Sequence, residues 1–413
     1  MGSKMNRGRH RWRAPMAGLA VLALALTGCG AADGGADAGG DDDSKPVQVL
    51  AVGGFTGFLQ ENARAQMDGV RAAIDNINEN GGLLGRQIEV TELDDQSDPT
   101  RAVSVLTEYL AAHDKPDFVS PGIISAEVLA TGPVLKREQI IGISSAVPPA
   151  LVEDPDGYYY GATPTFDVNY DAAVRYIQDQ GAKRVALVVP NDVHGENTES
   201  SMKPVIDELG MEMNVYRFDP EAIDISSTFI EAKRAGNDYI VMDAVGTLVP
   251  RLFEGRIKAG AEDVPTMTGF GTIVSNFVDV TTPELRENVV HAMFPLSGYI
   301  APEDRSPALV DLIERLPDLD SGNVMLSTYS LGYDAIMLWK AAVEQADTLD
   351  SEAVKAALED LKLSGAPADE RPWISFERAF LPDDHTQSTA PENYRFEAIT
   401  GEKKDGMLVT AED

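Results

Sequence analysis

The sequence predicts an α/β protein of two Rossmann-like three-layer lobes, each a parallel sheet with helices on both faces. Three observations carry this expectation. Residues 47–109 read strand, helix, strand, helix; a second series of the same kind runs from Tyr170 to Met267; and at 413 residues the chain is longer than one hydrophobic core usually organises.

The first strand is Val47 to Val52, apolar at nearly every position, as a parallel strand buried on both faces requires. Gly53-Gly54-Phe55-Thr56-Gly57 then turns tightly and leaves backbone N–H groups pointing outward. Ala63, Met67, Val70, Ile74 and Ile77 recur at steps of four and three, so they share one face of a helix ending at Asn80-Gly81-Gly82. Gln87 to Leu93 is the second strand, and Asp98-Pro99 caps and opens the next helix, with Ala102, Val105, Leu106 and Tyr109 inward. Strand Phe118-Val119, loop GIISAE, a helix through Val128 to Lys136, strand Ile140 to Ile143 and loop SSAVPP continue the alternation. The loops around Thr56, Ser125 and Ser145 all follow strands, so they converge on one sheet edge and make one wall of a cleft.

The second series has helices at Tyr170 to Asp179, Thr198 to Leu209, Ser227 to Ala235 and Leu248 to Ala259. They alternate with strands at Val185 to Val189, Met211 to Tyr216, Tyr239 to Met242 and Thr266-Met267. Its loops PNDVHGE, DAVGT and TGFGT form the facing wall.

The N-terminal end reads as an export signal. Residues 1–28 hold Lys4, Arg7, Arg9, Arg11 and Arg13, no acid, and an apolar run from Ala14 to Leu26 too short to span a bilayer. Leu26-Thr27-Gly28-Cys29 resembles the bacterial lipobox, which implies a diacylglycerylated Cys29 as the mature N-terminus; the chain's only cysteine sits where that motif needs it, and an ordinary cleavage site beside a chance cysteine is the alternative. Either Met1 or Met5 fits as the start. Residues 30–45, GAADGGADAGGDDDSK, hold nothing that anchors a core and form a tether with a reach of roughly 20 Å or more. The net charge of −33 becomes about −38 without the signal, which excludes nucleic acid and anionic membrane surfaces as partners.

No catalytic or metal pattern emerges. His113, His194, His291 and His385 are not spaced with other ligands as a metal motif demands, and neither a G-x-S-x-G elbow nor a phosphate-binding loop occurs. Gly269-Phe270-Gly271 lacks the third glycine of a dinucleotide fingerprint. The expectation is a non-enzyme without cofactor. His194 sits in a cleft loop, where it is either a ligand contact or a solvated histidine.

The stretch FTGFLQENA, the block NENGGLLGRQIEV and the DDQSDPTRAV after it resemble the opening of the branched-chain amino-acid binding proteins, the solute receptors of ABC importers. LSTYSLGYDAIMLWKAAVEQA resembles that family's long returning helix. The resemblance implies the type 1 periplasmic-binding fold, with three crossovers near YYYGATPTF, Phe294 to Gly298 and Trp373 to Phe376. It divides the chain into lobe one at 46–164 plus 298–372 and lobe two at 165–297 plus 373–413. Glu377 and Ala379 stand where the family has Asp and Gly after the last crossing.

The resemblance also implies a monomer that traps a small molecule by lobe closure and docks on an ABC permease, or, in a sensor subunit of the same fold, on a membrane receptor. A surface-anchored hydrolase is the third class. The ligand residues implied by the resemblance to the solute receptors are Phe55, Thr56, Asn62, Ile124, Ser125, Ser145, Ala146 and Val147 on one wall, His194, Val245 and Phe270 on the other, and Tyr329 from the returning helix. Val147 stands where a threonine is common, and Phe270 where the ammonium-binding acid is expected. An uncompensated buried ammonium costs several kcal/mol, so the expected ligand is a small carboxylate or amide with an apolar or aromatic body. Glu127, Asp192 or Asp243 in place of the missing acid would keep leucine-like ligands open.

Overall fold

A computed structural model describes residues 45–410 except 58, 276, 294–296, 317, 318, 320–323, 391 and 392. The expected signal, Cys29 and nearly all of the tether lie outside the described residues.

The first sheet is fully parallel, in the order β2-β1-β3-β4-β5. Its strands are β1 (Val47–Gly53), β2 (Ile88–Asp94), β3 (Phe118–Pro121), β4 (Gly142–Ser144) and β5 (Tyr159–Gly161). They alternate with α1 (Gln60–Glu79), α2 (Pro99–Ala112), α3 (Ser125–Glu138) and the short α4 (Pro149–Val152). The period of two along β1 sorts its side chains between the faces. Val47, Val49 and Ala51 join the core with Met67, Val70 and Ile74 of α1, whereas Leu50 and Val52 pack with Ala102, Leu106 and Val128 of α2 and α3. The Asp98 carboxylate caps α2 by accepting from the amides of Thr100 and Arg101, with Pro99 at the first helical position.

The same plan is repeated in a second sheet of order β11-β10-β9-β8-β6-β7. It is formed by β6 (Arg184–Pro190), β7 (Glu212–Phe218), β8 (Tyr239–Met242), β9 (Thr266–Thr268), β10 (Val289–Met293) and an antiparallel edge strand, β11 (Arg395–Glu397). Val185, Leu187 and Val189 of β6 face the core under α5 (Phe166–Asp179) and α6 (Val193–Glu208), while Ala186 and Val188 face α7 (Ser226–Arg234) and α8 (Val249–Lys258). The short α9 (Phe270–Ile273) and α10 (Phe277–Val280) follow β9.

The chain then returns to the first sheet with α11 (Pro307–Arg315), α12 (Leu326–Ala346) and α13 (Ser351–Leu358). Helix α12 lies so close to α1 that a Cβ on Gly69 would overlap the Tyr329 carbonyl, and one on Gly332 the Gln66 carbonyl. Glycine at both positions is what permits the contact.

Two expectations about the C-terminal third change. Residues 373–389, expected beyond the last crossing, pack on the first lobe. Trp373, Ile374, Ala379 and Phe380 belong to the core with α12, and Gly161 and His385 to Gln387 exchange backbone hydrogen bonds that extend the first sheet beside β5. The cause is Asp334, fully buried on α12, whose carboxylate takes the amides of Ile374 at 2.6 Å and Ser375 at 2.7 Å. The last segment is also no simple member of the second lobe. β12 (Ile399–Lys404) and β13 (Met407–Thr410) form a separate hairpin, with Met407 in the first core and Leu408 in the second. Leu408 is bonded through its backbone to Ser297 and Tyr299, where the chain crosses back.

Candidate functional site

The parallel strand order puts the turns after β1, β3 and β4 on one edge, as the alternation predicts, and those after β6, β8 and β9 on the corresponding edge of the second sheet. On the first wall most of the expected contacts are already engaged. Phe55 is buried beneath the Arg64 guanidinium, 5.2 Å from its ring centre. Thr56 is exposed but commits its amide and hydroxyl to Asp94, at 3.0 and 2.6 Å. Asn62 is half-buried in the first turn of α1. The Ser145 hydroxyl donates to Gln66 Oε1 at 2.9 Å, the Ala146 carbonyl accepts from the Tyr159 hydroxyl at 2.5 Å, and Val147 fills the space beside Gly161. Tyr329 is half-buried on α12.

Ile124 and Ser125 open helix α3, and here a buried acid intervenes. Glu127, 0% exposed, accepts from the amides of Ile123 at 2.9 Å and Ile124 at 3.4 Å. Glu127 thus already occupies the amide of Ile124, one of the expected ligand residues. Asp95, also 0% exposed, lies in the neighbouring turn, where Gln96 and Ser97 both take left-handed backbone conformations held in part by the Asp95 carboxylate on the Ser97 amide.

Burial, reinforced by the charge of Glu127, pushes the Asp95 carboxyl up to about 7. The folded state therefore holds a proton that the unfolded state has already released above about pH 4, so stability falls as pH rises from there to about 7. Asp95→Asn is expected to flatten that slope and add about 1–3 kcal/mol at pH 8, read by urea unfolding across pH.

On the second wall His194 is not in a loop. Asp192 caps α6 by accepting the Gly195 amide at 3.0 Å, so the helix starts at Val193 and His194 lies in its first turn. Its Nε2 is 3.1 Å from Asp243 Oδ2. Asp243 follows β8 and is 0% exposed. Tyr170 donates to the same oxygen at 2.6 Å, and the Thr272 amide and hydroxyl reach Oδ1 at 2.9 and 3.1 Å. Burial works to raise the Asp243 carboxyl, but the charge and hydrogen bond of His194, with the Tyr170 and Thr272 donors, outweigh it and hold the carboxyl below its usual range. Burial likewise disfavours the His194 cation, and Asp243, helped by the charge of Asp192, overrides it and holds the imidazole above its ordinary value.

Val245 is 41% exposed on the turn after β8. The Phe270 ring, by contrast, is 1% exposed and lies edge-on to Tyr170 and Tyr394 inside the lobe, so it does not line the surface. Tyr170 and Gln66 are the partners that sequence reasoning missed. A signal was present in TGFGT: a Cβ on Gly269 would meet the Asp243 carboxylate and the Tyr170 hydroxyl, and one on Gly271 the His194 ring. Val193, the first residue of α6, and Ile223, in the turn after β7, add exposed apolar surface at this edge.

A cavity of about 450 Å³ lined by Tyr176, Tyr239, Thr266 and Val289 lies at the opposite, amino-terminal edge of the second sheet, away from these groups. Among the described residues no group of three or more His, Cys, Asp or Glu is placed to hold a metal ion, and no helix is long and apolar enough to cross a membrane.

A family model described as periplasmic binding protein matches residues 46–390. The leucine-, isoleucine-, valine-, threonine-, and alanine-binding protein of Pseudomonas aeruginosa is 21% identical over 315 residues, covering 76% of this chain and 82% of that one. Among solved structures, a branched chain amino acid ABC transporter from Thermus thermophilus with bound valine aligns with a TM-score of 0.70 at 18% identity, over 89% of this chain and 96% of its own. A fatty acid ABC transporter substrate-binding protein from Thermomonospora curvata aligns with a TM-score of 0.66 at 19% identity, over 89% and 91%.

Proposed function

Because the chain belongs to the periplasmic binding protein family, we propose that it is the extracytoplasmic solute receptor of an ABC importer, which closes two lobes over a small molecule and hands it on unchanged. The observation that carries this reading is the repeated 2-1-3-4-5 strand order, which gives each lobe its own row of turns at the carboxyl edge. Exposed Val193, Ile223 and Val245 on the second row offer apolar surface to a solute.

The ligand is a small carboxylate or amide with an apolar or aromatic body, or a branched-chain amino acid. The relatives include a valine-bound and a fatty-acid protein, so this fold accommodates both kinds and the choice falls to side chains. The receptor works without chemistry of its own: ligand binds one wall, gains contacts from the other only when the lobes meet, and so shifts the population toward closure. As a monomer carrying a lipid on Cys29, the folded part would stay close to a permease on the outer side of the membrane.

Small-angle scattering with and without solute tests the proposal. Contraction on adding a branched-chain amino acid or an apolar acid, with the solute recovered unaltered, is the expected result. A radius unchanged by every such solute, or turnover of one of them, would sink it.

A further inference from the structure

The second wall holds a cluster of side chains gathered round one fully buried carboxylate, Asp243. Asp243 receives five donors: Tyr170, His194 and the Gly271 amide, at 3.4 Å, on one oxygen, and the Thr272 amide and hydroxyl on the other. A carboxylate so surrounded has no capacity left for a ligand ammonium. Elsewhere on the walls, Glu127 is buried against the amides of Ile123 and Ile124, Asp94 takes the amide and hydroxyl of Thr56, and Asp192 commits Oδ1 to capping α6.

Asp243 instead fixes His194. A carboxylate only accepts, so Nε2 carries a proton and Nδ1 is the ring's remaining polar atom. The Cε1–Nε2 edge is packed so tightly on Gly271 that a Cβ there would lie 2.6 and 2.8 Å from those atoms. No described residue hydrogen-bonds Nδ1, and the side chain retains 15% exposure between Val193, 70% exposed, and Val245. Asp243 after β8, Tyr170 on α5 and Asp192 in the same turn are the ionisable groups that surround this histidine. Their balance favours the imidazolium, in which Nδ1 is a donor.

We propose that His194, braced by Asp243, is the second lobe's ligand contact and donates from Nδ1 to an acidic group, so that the solute is an amine-free carboxylate with an apolar body and not an α-amino acid. This rests on the solute-binding reading above and narrows its ligand class. An α-ammonium at this wall would face a cation while Asp243 is already saturated by its donors, whereas a carboxylate gains a charge-assisted hydrogen bond.

Calorimetric titration of the full-length folded chain with L-leucine, 4-methyl-2-oxopentanoate and 4-methylpentanoate tests this, because the three share one apolar body. The amine-free acids are expected to bind at least about tenfold more tightly than leucine, the size of one charged hydrogen bond. His194→Gln is expected to weaken them about tenfold or more, and to abolish the fall in affinity expected of the parent protein as pH rises through the raised value of the imidazole. Tighter binding of leucine, acid binding unchanged in His194→Gln, or leucine binding that disappears in Asp192→Asn would each overturn the assignment while leaving the clamp intact. If scattering shows no closure with any solute, the clamp reading fails instead. The comparison among ligands needs no variant, so a poorly folded His194→Gln would not shield the proposal.

Discussion

Asp243→Ala is expected to cost the protein about 3–5 kcal/mol, the usual penalty for removing one member of a buried ionic pair. The substitution strands Tyr170, His194 and Thr272, which all donate to this one fully buried carboxylate. Urea unfolding near pH 6 measures the loss, and a cost under about 1 kcal/mol would mean the network is looser than its distances imply. The pH dependence has a definite sign. Asp243 is held below its usual range, so its contribution exists above about pH 4 and fades as pH falls through the lowered value. His194 is held above its ordinary value, so its contribution is complete below about pH 6.5 and fades as pH rises through the raised value. The difference between parent and variant should therefore peak between about pH 4 and pH 6.5.

Trp373→Ala is expected to cost a similar 3–5 kcal/mol, and its spatial pattern tells more than its size. Trp373 is fully buried, donates Nε1 to the Phe376 carbonyl at 2.7 Å, and lies in the core shared with α1 and α12. Amide hydrogen exchange should show protection lost together across 374–387 and α12, while α5 and α6 exchange as before. Loss confined to the second lobe would return this segment to the place the sequence assigned it.

Much of the scaffold was legible because it depends on short-range periodicity. The apolar run at Val47 to Val52, the four-and-three spacing from Ala63 to Ile77, and Asp98-Pro99 each specify a local conformation, and each forms where expected. The site was legible only in outline. Chain order located the turns that follow strands, but which groups remain free there is settled by partners far away in sequence. His194 meets Asp243 across 49 residues, Tyr170 meets it across 73, and Ser145 meets Gln66 across 79.

Position 270 illustrates the limit. The family resemblance placed Phe270 on the ligand wall; packing turns its ring inward between Tyr170 and Tyr394, since burial of an aromatic face outweighs exposure on a polar edge. The placement of 373–389 was lost for the same kind of reason, because its anchor is a buried carboxylate some 40 residues earlier, at Asp334. Periodicity, caps and turn chemistry thus determined by themselves that this chain makes two sheets with turns at their carboxyl edges. Only tertiary structure decided which acids are already neutralised by buried donors, because desolvation and hydrogen-bond saturation belong to a place in space and leave no mark on any local stretch of sequence.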